Sequence, residues 1–191
     1  KILTKYSAEY VNTLFCMAKR NCSLDFDFVC FTENSKDLHP KIKIKPLPEI
    51  RGAKGWWYKP LFFNPNLGIE GTLLFFDLDV IIFRNIDKLF NYKTGEFCII
   101  RDFHRHVNPK YAKFNSSVFR LEVGSQSHIY ENFAKDTKNV MRRFHGDQDY
   151  IFTQTKHFQF WPDDWIQSYK WEMRDRRELQ KINGRRNFPR S

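Results

Sequence analysis

Apolar residues recur along the chain with two different spacings. In YVNTLFCMAKRNC they return every three or four positions, which predicts a helix with one inward stripe, formed by Val11, Leu14, Phe15 and Ala18. Ser7 is a candidate N-terminal cap of this helix. The runs FDFVCFTE and IKIKPLP instead have the composition of strands, and the second is polar enough for a sheet edge.

The same two patterns alternate through the rest of the chain. GWWYKPLFF is predicted to be helical despite Pro60, because proline is tolerated in a first turn. Further helices are predicted in NIDKLFNY, in SQSHIYENFAKDTKNVMRRF as one long helix, and in GDQDYIFTQT. Further strands are predicted in TLLFFDLDVII, FCIIRD, NSSVFRLE and FQFWP, and one more before Thr4. This alternation predicts an α/β fold whose mostly parallel central sheet is flanked by helices, with ligands bound beyond the carboxyl ends of the strands.

Composition places the chain among globular domains. Its 191 residues, 41% of them hydrophobic, suffice for one buried core, so we expect a single domain over residues 1–191 and a monomer. No apolar stretch is long enough for a transmembrane segment. The four cysteines show neither metal-binding nor disulfide spacing, which favours a reducing compartment and therefore the cytoplasm. Because the chain starts at Lys1 rather than Met, we expect its N-terminus to be trimmed, and a chain of this length is short enough to be a domain excised from a longer protein.

The formal charge of +10 favours an anionic partner. Much of this charge lies in the basic C-terminal segment 174–191, RDRRELQKINGRRNFPRS, and a solvated basic face with a basic tail explains it equally well. Nucleic acid, an acidic membrane surface and a phosphorylated small molecule are all possible partners. A nucleic-acid-binding domain without catalysis is therefore the alternative function, although no RNP, zinc-finger or KH signature is present.

Two carboxylates interrupt the apolar run TLLFFDLDVII. A buried carboxylate is costly unless it is compensated, and Asp77 and Asp79 share one face of a regular strand about 7 Å apart. If the strand ends there, both can converge on one hard divalent cation such as Mn²⁺ or Mg²⁺. Alternatively, one aspartate caps the following turn and the other pairs with a lysine or arginine. A phosphatase of the haloacid dehalogenase type is a poor match, because Ile81 stands where that motif has Thr or Val.

Four further motifs accompany this aspartate pair in a recognisable order. The strand ending in DxD is preceded by GWWYKPLFF and followed by FNSSVF, HGDQDYI and WPDDWIQSYK. In this order and spacing, residues 1–170 resemble the nucleotide-sugar glycosyltransferases with the Rossmann-like GT-A fold, and family 8 in particular. The resemblance implies a metal-dependent enzyme that transfers a sugar from a UDP-sugar donor to a glycan or glycoprotein acceptor with retention of configuration. It implies no nucleic-acid partner.

The resemblance also implies roles for individual residues. Asp77 and Asp79 would bind Mn²⁺ or Mg²⁺, with His145 as a candidate third ligand, although the later histidine motif of family 8 is missing. The catalytic candidates are Asp147, Gln148 and Asp149. The donor-binding candidates are Thr4, Tyr6, Lys59, Asp77, Asn115, Ser116, Ser117 and Lys170.

Each of these roles has a structural alternative. The acidic residues after Gly146 suit the positive end of a helix as a cap. Lys170 is equally explained as a surface lysine, and His145, beside Phe144, as a packed or hydrogen-bonded residue. Tyr6 either stacks on a nucleobase or packs half-buried. The tryptophans in the C-terminal part of the chain (Trp161, Trp165 and Trp171) either stack on acceptor sugars or belong to the core.

Overall fold

Five α-helices and six β-strands lie along residues 6–174, the part of the chain that the computed structural model describes. The helices are α1 (Ala8–Asn21), α2 (Asp87–Asn91), α3 (His128–Lys135), α4 (Thr137–Arg143) and α5 (Asp147–Gln154). The strands are β1 (Val29–Thr32), β2 (Lys43–Pro46), β3 (Thr72–Phe76), β4 (Cys98–Arg101), β5 (Phe114–Glu122) and β6 (Gln159–Phe160). Two 3₁₀ segments, Gly55–Phe63 and Phe103–His106, and a π-helical turn, Tyr169–Met173, complete the order.

The strands form two small sheets, so the predicted mixed α/β class is confirmed. β1 and β2 pair in parallel, and the second sheet has the order β3-β5-β4-β6. The second sheet is not mostly parallel as predicted, because β5 runs antiparallel to both β3 and β4, and only β4 and β6 are parallel. Parallel strands that follow each other along the chain need a crossover, usually a helix, and residues 102–113 between β4 and β5 contain only a 3₁₀ segment, so the chain returns antiparallel.

Helix α1 follows the predicted pattern closely. Its buried residues are Val11, Leu14, Phe15 and Ala18, the stripe predicted from the sequence. Ser7 occupies the N-cap position with an extended backbone (φ −84°, ψ 171°), but its side chain makes no capping hydrogen bond.

The single long helix predicted for residues 125–144 is instead two helices. α3 and α4 are separated at Asp136, whose backbone (φ −148°, ψ 51°) is not helical. The side chain of Asp136 accepts hydrogen bonds from Asn139, and the Thr137 hydroxyl donates to the carbonyl of Phe133. Short polar side chains that bind nearby backbone and side-chain groups favour such a break.

The segment Gly55–Phe63 lies against one face of the larger sheet. It is helical as predicted and contains Pro60, but it adopts 3₁₀ rather than α geometry. Its apolar side chains enter a core rich in phenylalanine, where Phe63 and Phe75 both stack on Phe119. This packing fixes the position of Lys59, which lies in the middle of the segment. Among residues 6–174, no helix has the length and apolarity needed to cross a membrane.

Candidate functional site

The aspartate pair lies just beyond the end of β3. β3 ends at Phe76, and the backbone N–H of Asp77 donates to the carbonyl of Ser117 at 2.8 Å, one residue past the regular ladder. A turn follows, closed by the N–H of Val80 donating to the carbonyl of Asp77 at 3.1 Å. Asp77 is therefore held at the strand end, whereas Asp79 lies exposed on the turn. The expectation that the strand ends at this pair is met.

An irregularity in β5 brings its serines to the same place. The register between β4 and β5 shifts from Ile99 opposite Phe119 to Ile100 opposite Asn115, so β5 contains extra residues at this point. Bulges of this kind redirect side chains and are frequent beside functional sites. Here the bulge contains Ser116 and Ser117, and the Asn115 side chain stabilises it by accepting a hydrogen bond from the N–H of Ser117 at 3.0 Å.

Lys59 joins three elements at the centre of the site. Its ammonium donates to Asp77 at 2.8 Å and to the Ser116 hydroxyl at 3.3 Å. The same ammonium lies 3.7 Å from a carboxylate oxygen of Asp147, to which the Ser116 hydroxyl donates at 2.8 Å. The Lys59 ammonium therefore connects the end of β3, the bulge of β5 and the start of α5.

The two carboxylates of this cluster are only partly compensated. Burial raises the pKa of Asp77 and of Asp147, while the nearby Lys59 ammonium acts in the opposite direction without cancelling the effect. Asp147 and Asp149 lie in the first turn of α5, where negative charge suits the positive end of the helix, although no side chain makes a capping hydrogen bond at the N-cap residue Gly146. An additional cation beside Asp77 would favour the ionised form of that group.

Gln148 is fixed at both ends of its side-chain amide. The amide oxygen accepts from the N–H of Ser116 at 3.2 Å, and the amide nitrogen donates to Asp102 at 3.0 Å. Gln148 therefore holds the bulge rather than presenting a free amide to the groove. Sequence reasoning missed Asp102, whose signal was an acidic residue directly after strand β4.

The remaining acidic candidates are more accessible. Asp149 pairs with Lys113 at 3.4 Å, and both side chains are substantially exposed, so solvent weakens this ion pair. Asp79 accepts a hydrogen bond from the hydroxyl of Tyr6 at 3.1 Å, and the Tyr6 ring packs edge-on against Tyr10. The predicted stacking of Tyr6 on a nucleobase stays a prediction.

Most of the residues predicted from the sequence line one groove. These are Tyr6, Lys59, Asp77, Asp79, Ser116, Ser117, His145, Asp147, Gln148 and Asp149. Asn115 lies behind the groove, where its side chain supports the bulge. Thr4 lies outside the described residues, as does all but the first residue of the basic segment 174–191.

Two predicted ligands of the donor and metal do not join the cluster. Lys170 is exposed on the π-helical turn, its ammonium 5.8 Å from the centre of the Trp171 ring, and it does not line the groove. His145 lines the groove, but within residues 6–174 no group of three or more His, Cys, Asp or Glu side chains is arranged to hold a metal ion. Asp77 and Asp79 thus stand without a third protein ligand among the described residues.

The tryptophans of the C-terminal part pack against other side chains of the protein. Trp161 is buried at 2% exposure, and Trp165 packs edge-on against Tyr92, so both belong to the packed interior. Trp171 is half-buried and packs edge-on against His104, and its stacking on an acceptor sugar stays a prediction.

In comparisons with known proteins, no family model, no curated protein and no solved structure matches this chain.

Proposed function

We propose that this protein is a metal-dependent glycosyltransferase that moves a sugar from a UDP-sugar donor to a glycan or glycoprotein acceptor. The observation that carries the proposal is the cluster of Asp77, Asp147 and Lys59, with Asp79 exposed beside it. The carboxylates of Asp77, Asp79 and Asp147 outnumber the one ammonium of Lys59. Negative charge is therefore concentrated here, although the net charge of the chain is +10. Such a point attracts a divalent cation, and the basic remainder of the molecule favours an anionic substrate.

We extend the proposal to the architecture and to the stereochemistry. The mixed α/β fold, the apolar strand that ends at Asp77 and the convergence of three of the quoted motifs on one groove support a GT-A-type domain. Retention of the anomeric configuration rests on the resemblance to family 8 alone. The antiparallel direction of β5 departs from the mostly parallel sheet predicted for such a domain.

The residues present are suited to Mn²⁺ or Mg²⁺. These ions prefer oxygen ligands and keep several water and phosphate ligands, so two carboxylates on an open turn are an appropriate protein contribution. One oxygen of Asp77 is engaged by Lys59, and Asp79 bears the more accessible carboxylate. When bound, the ion would act as a Lewis acid that stabilises negative charge on the leaving diphosphate.

The protein's own side chains have distinct tasks in this proposal. Lys59 limits the repulsion between Asp77 and Asp147 and so keeps both carboxylates at the groove. Ser116 and Gln148 fix the bulge that faces the donor sugar. Asp149 is the accessible carboxylate that can accept hydrogen bonds from sugar hydroxyls, because its ion pair with Lys113 is weak and exposed.

The direct test is hydrolysis of sugar nucleotides in the absence of an acceptor. UDP- and GDP-sugars are incubated with Mn²⁺, and release of the nucleoside diphosphate is measured for the wild type, Asp79→Asn and Asp164→Asn. Asp164 is an exposed aspartate outside the groove and serves as the matched control. We expect Asp79→Asn to lower the rate by roughly 10²-fold or more with unchanged melting temperature, and Asp164→Asn to match the wild type. Equal rates for all three proteins, or no hydrolysis of any donor, would contradict the proposal.

A further inference from the structure

We propose that Trp56 is a stacking platform for the pyranose ring of the acceptor sugar. This inference rests on the proposed glycosyltransferase function and assigns the receiving side of the same groove. Trp56 lies in the segment Gly55–Phe63, directly before a second tryptophan that has a different environment.

The two neighbouring tryptophans differ sharply in exposure. Trp57 is 8% exposed and stacks on Phe133 with nearly parallel rings whose centres are 6.0 Å apart. Trp56 is 59% exposed. Burial of an indole stabilises a folded protein, so the core gains little from Trp56 where it stands. An exposed aromatic face inside a groove is instead typical of a ligand contact.

The geometry of the segment directs Trp56 towards the site. Side chains three residues apart lie on the same side of a 3₁₀ helix, and Trp56 and Lys59 are three residues apart. Lys59 contacts Asp77 and Asp147, and both Trp56 and Lys59 line the groove. The indole is therefore next to the charged cluster.

One edge of the indole lies near the start of α5. A Cβ atom built on Gly146 would lie 3.6 Å from Nε1 and 3.9 Å from Cδ1 of Trp56. The pyrrole edge of the ring therefore faces the residue that precedes Asp147. Most of the Trp56 surface nevertheless stays exposed.

The site therefore has two flanks. On one flank, Asp79 is bonded to Tyr6. On the other, Trp56 lies beside Gly146. Lys59 links the two flanks, because it pairs with Asp77, two residues before Asp79, and with Asp147, the residue after Gly146. In this proposal the diphosphate of the donor lies by Asp79 and the group that receives the sugar lies on the Trp56 flank.

A pyranose ring matches the chemistry of this second flank. One face of such a ring is a patch of C–H groups that packs on a flat aromatic surface, while its hydroxyls need polar partners. His145 and Asp149 line the same groove as Trp56, and both lie within three residues of Gly146, the residue beside the indole. An imidazole and a carboxylate in the groove provide polar partners for hydroxyls, which a sugar needs and a purely apolar ligand does not.

The test is ligand-observed NMR with simple sugars as probes. Saturation transfer from the protein to methyl glycosides of glucose, galactose, mannose, xylose and N-acetylglucosamine is measured with UDP and Mn²⁺ present and absent. We expect at least one glycoside to receive saturation on one face of its ring. Binding should weaken roughly tenfold in Trp56→Ala and be largely retained in Trp56→Phe, which keeps an aromatic face. Phe83→Ala, which removes an exposed aromatic outside the groove, should match the wild type.

The melting temperature with UDP and Mn²⁺ is recorded on the same samples. UDP and Mn²⁺ should raise the melting temperature of Trp56→Ala by as much as that of the wild type, because Trp56 does not contact the nucleotide in this proposal. Two results would overturn this inference alone, provided that UDP and Mn²⁺ raise the melting temperature of the wild type. In the first, the wild type binds no glycoside; in the second, Trp56→Ala binds the glycoside as well as the wild type does. Absence of the UDP response in the wild type contradicts the proposed function instead.

Discussion

The side chain of Lys59 is 11% exposed and lies between two carboxylates, Asp77 at 2.8 Å and Asp147 at 3.7 Å. One ammonium cannot fully compensate two buried carboxylates, and burial accordingly raises the pKa of both. Such an arrangement reduces stability at neutral pH. A bound cation would complete the balance of charge in this cluster.

Asp147 should therefore make stability depend on pH in a defined direction. Its pKa in the folded protein is raised above the ordinary value of 3.8, so its contribution to stability is complete below that value and is lost as pH rises through the raised pKa. The unfolding free energy of the wild type minus that of Asp147→Asn should decrease as pH rises above the ordinary aspartate pKa of 3.8. Urea denaturation at several pH values measures it.

Asp164→Asn is the control for this experiment, since Asp164 is exposed and outside the cluster. This variant shows how the loss of one exposed carboxylate affects the same denaturation curves. A difference for Asp147→Asn that stays constant or increases with pH would show that Lys59 compensates the Asp147 carboxylate completely.

At the scale of elements, Arg120 of β5 anchors the end of α2. Arg120 is fully buried, and its guanidinium donates to backbone carbonyls that follow or end the helix, namely those of Leu89, Phe90, Tyr92, Lys93 and Glu96. The last carbonyls of a helix have no partners within it and carry partial negative charge, so a cation is well placed there. One side chain thereby fastens the connection between β3 and β4 to the central strand of the sheet.

Replacing Arg120 should be strongly destabilising. Arg120→Met keeps much of the volume but leaves several buried carbonyls without donors, and the unfolding free energy should fall by about 3 kcal/mol or more. Arg120→Lys keeps the charge with fewer donors and should lose an intermediate amount. Urea denaturation of the three proteins measures both differences. A variant Arg120→Met that is as stable as the wild type would show that these contacts contribute nothing net.

The elements also show how far the sequence alone was informative. Periodicity identified α1 and its buried stripe correctly because a helix on a core must repeat its apolar residues every three or four positions. The break at Asp136 escaped prediction because the apolar spacing continues across it, and local hydrogen bonds decide the outcome. The direction of β5 was also missed, because a hydrophobic run does not encode which way a strand runs.

The candidate site was predictable to a similar degree. Aspartates within an apolar run can be recognised in the sequence, because burying a carboxylate costs free energy unless another group compensates it. The partners of Lys59 and the serine bulge of β5 depend on register, which the sequence does not reveal. Gln148 is a catalytic candidate because Asp147 and Gln148 resemble the Asp-Gln pair of family 8, and that role stays a prediction; the sequence does not reveal the two internal hydrogen bonds of its amide.

At the scale of the whole molecule, the carboxylates of the groove contrast with the net positive charge of the chain. The net charge of +10 favours the approach of polyanionic substrates, and the carboxylates around Lys59 oppose their phosphates locally. A bound divalent cation removes this conflict. Nucleotide and metal should therefore bind weakly when alone and tightly together, and this coupling is reciprocal.

The most direct measurement of this coupling is thermal melting of the wild type and of Asp79→Asn. Each is melted alone, with UDP, with Mn²⁺, with both, with both plus a chelator, and with GDP and Mn²⁺. A ligand at a hundredfold excess over its Kd stabilises the native state by about 2.7 kcal/mol, so a coupled pair is readily visible. We predict that UDP and Mn²⁺ together raise the wild-type melting temperature by more than the sum of their separate shifts, and that the chelator and Asp79→Asn each abolish the excess. Additive shifts in the wild type, or a UDP shift that persists in chelator and in Asp79→Asn, would contradict a donor bound through metal at Asp77 and Asp79.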